Sequence, residues 1–103
     1  MEIRIKDYIY QIVEVDDTDK DFMTNKGLVL YGQTIYPHQI IKLYKDLLPT
    51  RKRQTLIHEL THAFMDVYLP SQHVKDKFDE EDICCFMATY SEDILKIVND
   101  YFK

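Results

Sequence analysis

The sequence is poor in the residues that divide or staple a chain. Its 103 residues contain two glycines and three prolines, with no internal repeat and no low-complexity segment, so composition gives no reason to split it. The two cysteines, Cys84 and Cys85, are neighbours. Adjacent cysteines rarely meet the geometry a disulfide demands, which argues against a structural disulfide and fits a reducing compartment. Positive charge is also in deficit, with 13 basic residues against 18 acidic ones and a net charge of −5. That balance argues against a general affinity for nucleic acid or for anionic membrane surfaces. The one basic run, Arg51 to Arg53, reads as a solvated helical turn. No stretch approaches the roughly eighteen apolar residues of a membrane span, and the opening MEIRIKDYIY lacks the unbroken apolar core of a signal peptide. The expectation is a single cytoplasmic domain over residues 1–103, with no nucleic-acid or membrane partner. The oligomeric state is left open.

What is present is ordinary globular material, 46% hydrophobic and 30% charged, enough for one compact core. From Ile3 to Val15 the β-rich pattern predicts a strand or a bent strand pair. The acidic run Asp16 to Asp21 follows as a solvated turn, since it lacks the glycine and terminal glutamate of a calcium loop. Gly27 to Pro37 reads as two short strands joined around Gly32 and Gln33, where glycine would supply a tight turn. Ile40, Ile41, Tyr44, Leu47 and Leu48 have helical spacing and suggest a short helix or an irregular connection. Pro49 suits the first turn of a helix that nothing breaks until Leu69, with Pro70 ending it. Its Leu56, Ile57, Leu60, Ala63, Phe64 and Val67 spread around most of the cylinder and make it the central element. After a polar loop, a last helix is expected from about Asp79 to Phe102, with Ile83, Met87, Tyr90, Ile94 and Val98 as its apolar stripe. The fold class is therefore α+β, with a sheet of about three strands over the two helices.

The chemistry concentrates in TLIHELTHAF, Thr55 to Phe64. Helical positions four apart stand one above the other, so His58 and His62 can both reach one ion at about 2.0–2.1 Å. Glu59 points about 100° away. It is thereby kept out of the coordination shell and set beside the position where a zinc-activated water would lie. As core residues on the buried side of a central helix, two histidines would each need partners for their ring nitrogens, so the pattern favours Zn2+ over packing.

A catalytic zinc needs a third protein ligand. The candidates are His73, Asp79, Glu80, Glu81, Asp82 and the cysteine pair. His73 lacks the glycine turn that brings a third histidine round in metzincins. Glu81 is preferred over Glu80 and Asp82, because it shares a helix face with Cys84, Cys85 and Ala88, whose small side chains would permit close approach to the central helix. The cysteines are then packing residues.

HELTHAF followed by EEDICCFMA resembles the gluzincin metallopeptidases. The HELTHA segment is similar to that of thermolysin, and Asp66 falls where thermolysin has an aspartate four residues beyond the second histidine. The resemblance covers about Leu56 to Ala88. It implies a general base at Glu59 and a third zinc ligand on the following helix, at Glu81. In size, and in the closing EEDICCFMATYSEDI, the chain looks most like minimal gluzincins and small phage or mobile-element metallopeptidases, which also resemble the ImmA/IrrE repressor-cleaving group. It departs from larger relatives in lacking a second catalytic subdomain and the downstream histidine that helps hold an oxyanion. Tyr36, Tyr68 and Tyr90 are the residues that could replace that donor. The implied activity is hydrolysis of a protein or peptide substrate. The alternatives are a zinc-stabilised binding or regulatory module, and a latent peptidase whose cleft is covered by the C-terminal LKIVNDYFK.

Overall fold

The computed structural model describes residues 1–22, 30–69 and 78–103, without the Lys20 side chain. It is an α+β fold, a four-stranded mixed sheet with two helices on one face. The first two strands, β1 (Glu2–Ile5) and β2 (Tyr8–Val15), are the bent pair expected from the sequence. They form an antiparallel hairpin in which Lys6 takes a positive φ of 55° at the turn. Then come β3 (Gly32–Ile35) and β4 (Ile40–Tyr44), which are antiparallel to each other. The order across the sheet is β1-β2-β4-β3, with β2 and β4 parallel.

The sheet differs from the sequence expectation in two places. Gly32 does not sit in a turn but opens β3. The chain reverses over residues 36–39, where Gln39 has a φ of 54° and its N–H donates to the Tyr36 carbonyl at 3.1 Å. The segment read as a short helix or an irregular connection is β4, whose Ile41 and Leu43 are buried while Ile40, Lys42 and Tyr44 are only half-buried. Alternation with period two outweighs the helical spacing because the parallel pairing with β2, a long-range contact, fixes the backbone. Gly27 to Val29, from the first of the two strands expected in this region, lie outside the described residues.

The helices fall where expected. Helix α1 is Pro49–Tyr68 with proline in its first turn, and α2 is Glu80–Tyr101. Asp79 caps α2 in a reciprocal capping box: its side chain accepts from the Asp82 N–H, and the Asp82 carboxylate accepts from the Asp79 N–H. Two such bonds satisfy donors that a helix start leaves unpaired. Ile3, Ile5, Tyr10, Ile12, Ile41 and Leu43 point from the sheet onto Leu56, Leu60, Ala63, Phe64 and Val67 of α1. Helix α2 adds Phe86, Ile94 and Val98. Its expected stripe is half right: Ile94 and Val98 are core, but Ile83 and Met87 are exposed, and Phe86 takes the buried place. Tyr90 stacks on Tyr68 with ring centroids 4.3 Å apart and packs against Phe64 at 6.0 Å, joining the helices. Among the described residues, no helix is long and apolar enough to cross a membrane.

Candidate functional site

Helix α1 is covered on two sides, by the sheet and by α2, and an open stripe lies between them. His58 and His62 occupy that stripe, both exposed, rather than the buried side expected from sequence. Leu56, Leu60 and Ala63 point to the covered sides and hold the helix. The Nε2 atoms of His58 and His62 lie 3.2 Å apart, with the rings edge to face at 71°. Two nitrogen ligands about 2.0–2.1 Å from one tetrahedral ion stand roughly 3.3 Å apart. The spacing of the two nitrogens therefore fits a zinc pair without rearrangement.

Glu59 is one of two buried polar residues among those described, 7% exposed, on the flank where α1 meets β3. Its Oε1 accepts from the Thr34 hydroxyl at 2.9 Å, a hydrogen also directed at the Glu59 carbonyl, 3.1 Å away. Oε2 is the other oxygen, and it faces His58, 3.9 Å from Nε2. Gly32 makes this approach possible. A Cβ there would lie 2.6 Å from Thr55 Cγ2, 2.9 Å from Glu59 Cγ and 3.3 Å from Oε2. Thr55 cannot easily yield, because its hydroxyl donates to the Arg51 carbonyl at 2.8 Å. The glycine thus serves the close approach of strand and helix, and an isolated glycine inside a strand pattern is the sequence signal that marks it. Thr34 carried no such signal.

Asp66, one turn beyond His62, is tied to the sheet: the buried Tyr10 hydroxyl donates to its Oδ2 at 3.2 Å. Burial, and then the Asp66 carboxylate, pushes the Tyr10 phenol well above its ordinary value, so it stays a donor. Of the three tyrosines considered as oxyanion donors, Tyr68 and Tyr90 are engaged in the stack between the helices. Tyr36 follows β3, and its phenol is raised first by burial and then by the carboxylates of Asp66 and Glu59. A cavity of about 300 Å³ opens beside the motif, bounded by Tyr31, Arg51, Gln54 and Thr55 and reaching His58 and Glu59.

The structure brings His58, Glu59 and His62 together and leaves Glu81 apart. Among the described residues, no three His, Cys, Asp or Glu side chains gather where they could hold one ion. Glu80 and Glu81 are exposed in the first turn of α2, and Asp79 and Asp82 are engaged in its capping box. The cysteines and Ala88 are exposed, so the close helix contact expected around them does not form. His73 lies outside the described residues. The C-terminal segment does not line the cavity beside His58. Val98 is core, Asn99 accepts from Arg53 at 2.8 Å and the Tyr101 hydroxyl donates to Glu14, so the cover imagined for a latent enzyme is anchored on α1, β2 and the core.

No curated protein and no solved structure matches the chain. A family model does: the one described as the IrrE N-terminal-like domain, a peptidase family, matches residues 11–90. That span begins in β2 and ends in α2, so it takes in Gly32, Thr34 and the whole histidine helix. The chain belongs to the peptidase family of the IrrE N-terminal-like domain.

Proposed function

We propose that the protein is a zinc-dependent peptidase of the gluzincin kind, with His58, His62 and Glu81 as the residues that would hold the ion and Glu59 as general base. The 3.2 Å spacing of the two imidazole nitrogens carries this reading, together with a donor set of two imidazoles and a carboxylate, which borderline Zn2+ accepts. Bound zinc would supply Lewis-acid polarisation and a water acidified to a pKa of about 7. The rest of the chemistry belongs to the chain. With Oε1 engaged by Thr34, Glu59 has Oε2 free on the His58 side to accept a proton from water and return it to the leaving amine. Strand β3 is the last in the sheet order, and its outer edge could take an extended peptide as an added strand. For Glu81 to join the histidines, the start of α2 must move toward α1.

Glu59→Gln tests the reading, because it keeps size and polarity and removes only the proton acceptor. Zinc content and melting temperature should match wild type while peptide hydrolysis falls at least about a hundredfold. The separation of Glu81 from the histidines leaves the catalytic set incomplete, and the rival reading is a binding or regulatory module. It takes over if no cleavage is found and Glu59→Gln leaves the biological effect intact.

A further inference from the structure

The cavity beside His58 holds a charge that the proposed chemistry does not use. Arg51 lies roughly two turns before His58 on the same open stripe of α1, about 10 Å along the axis. Its guanidinium sits over the Tyr31 ring, 5.3 Å from the centroid. No carboxylate pairs with it among the described residues, and the first turn of α1 has no acidic side chain. The neighbouring Lys52 and Arg53 are already engaged, with Glu14 and Asn99 respectively. Gln54, also on the cavity wall, offers an amide donor beside it. A guanidinium set over an aromatic face still has N–H donors to offer, and their fork matches a carboxylate. Among the described residues, Glu59 is the single acidic residue bounding the cavity, and its Oε1 is already engaged by Thr34.

Direction follows from the contacts of β3 with α1. Tyr31 meets Arg51, Gly32 meets Thr55 and Glu59, and Thr34 meets Glu59, so strand and helix run the same way. A peptide added antiparallel to β3, the more stable pairing per residue, would end toward Arg51. Extended chain advances about 3.4 Å per residue. The 10 Å between His58 and Arg51 is thus about three residues.

We infer that Arg51, with Gln54 and Tyr31, forms a subsite for a carboxylate about three residues to the C-terminal side of the scissile bond. The carboxylate is an acidic side chain or the end of the peptide itself. This rests on the peptidase reading for its register, and it makes Arg51 a specificity-determining residue that touches substrate away from the reacting atoms.

The test is direct binding followed by cleavage. The full-length Glu59→Gln protein, loaded with zinc so that peptide is bound without being consumed, is titrated by fluorescence anisotropy. The probes are labelled nonapeptides, capped at both ends, identical except for one position scanned as Glu, Gln or Lys, plus an uncapped Gln peptide. A Glu peptide or the uncapped peptide should bind at least about tenfold tighter than the capped Gln peptide, the scale of one charge-assisted pair. The arm that gains tells side chain from terminus. Adding Arg51→Ala should erase the preference and Arg51→Glu should turn it toward Lys. Circular dichroism checks the fold, which an exposed first-turn side chain should leave intact. Equal binding of all probes, no binding, or a preference that survives Arg51→Ala overturns the subsite. Cleavage by the wild-type chain then separates the two ideas: cleavage without preference sinks the subsite alone, whereas preference without cleavage keeps the subsite and sinks the peptidase.

Discussion

Glu59 and Glu81 are both glutamates in long helices of one small chain, yet their surroundings are opposite. Glu59 is nearly enclosed, bonded by Thr34 and pressed against Gly32, on a helix whose covered sides carry the core. Glu81 stands in the exposed opening turn of α2, where residues 80–85 are all exposed and only the capping box of Asp79 and Asp82 fixes the backbone. Packing thus sets Glu59 and the backbone that carries the two histidines in advance, whereas Glu81, the candidate third ligand, is set only by local helix structure. A centre built this way would bind metal with one part rigid and one part recruited, and ion binding would contribute to ordering the start of α2.

Removing the rigid part should have the largest effect. His58→Ala or His62→Ala should abolish stoichiometric zinc, read by mass spectrometry of the purified protein, and should erase any rise in melting temperature that added zinc gives wild type. Because both rings are exposed, the metal-free melting temperature should hardly change. Full zinc in either variant removes the site.

The recruited part comes next. Glu81→Gln should weaken zinc strongly and Glu80→Gln should not, since adjacent helical residues point about 100° apart. The opposite order would place the ligand at Glu80. Equal loss in both would mean that the start of α2 acts through its charge and not through a single ligand.

That same contrast runs through what the sequence made legible. Long periodic elements were readable: α1 and α2 lie within a residue or so of their expected ends, and the motif residues His58, Glu59 and His62 do come together. What depends on contacts far apart in sequence was not. Ile40, Ile41 and Tyr44 fit a helix as well as a strand until β2 pairs beside them. Gly32 has the composition of a turn, and only the approach of Thr55 and Glu59 shows why it is glycine. The apolar stripe of α2 was misphased at its start because Ile83 and Met87 are as hydrophobic as Phe86, and apolar spacing alone does not show where the core ends. The acidic run read as a solvated turn is partly structural, since Asp19 pairs with Lys42 at 2.7 Å.

The strand behind Glu59 offers an intermediate effect. Gly32→Ala would place a methyl 2.6 Å from Thr55 Cγ2 and 2.9 Å from Glu59 Cγ, so β3 and α1 must separate. Overpacking of this kind costs about 1–3 kcal/mol, which a urea titration would read. Hydrolysis should fall further than stability explains, because Glu59 Oε2 moves relative to His58, while zinc affinity should stay near wild type. A variant as stable and active as wild type would show that the glycine is not needed for the approach.

The smallest effect belongs to a link that spans the fold without touching the site. Glu14, at the end of β2, pairs through Oε1 with Lys52 of α1 at 2.7 Å and accepts through Oε2 from Tyr101 near the end of α2. Burial alone would raise its carboxyl, but the bonds from Lys52 and Tyr101 outweigh that and hold it below the ordinary glutamate value. A depressed folded-state pKa means that this stabilisation is complete above the unfolded-state value and disappears as pH falls through the folded-state one. The side chain is 37% exposed, so solvent screening keeps Glu14→Gln to less than about 1 kcal/mol at neutral pH. Denaturant titrations of both proteins down the acid range should converge as Glu14 protonates, with zinc affinity at neutral pH unchanged throughout. A gap that persists in acid would mean that the glutamate acts by packing rather than by charge. A drop in zinc affinity would mean that strain at the far end of α1 reaches His58.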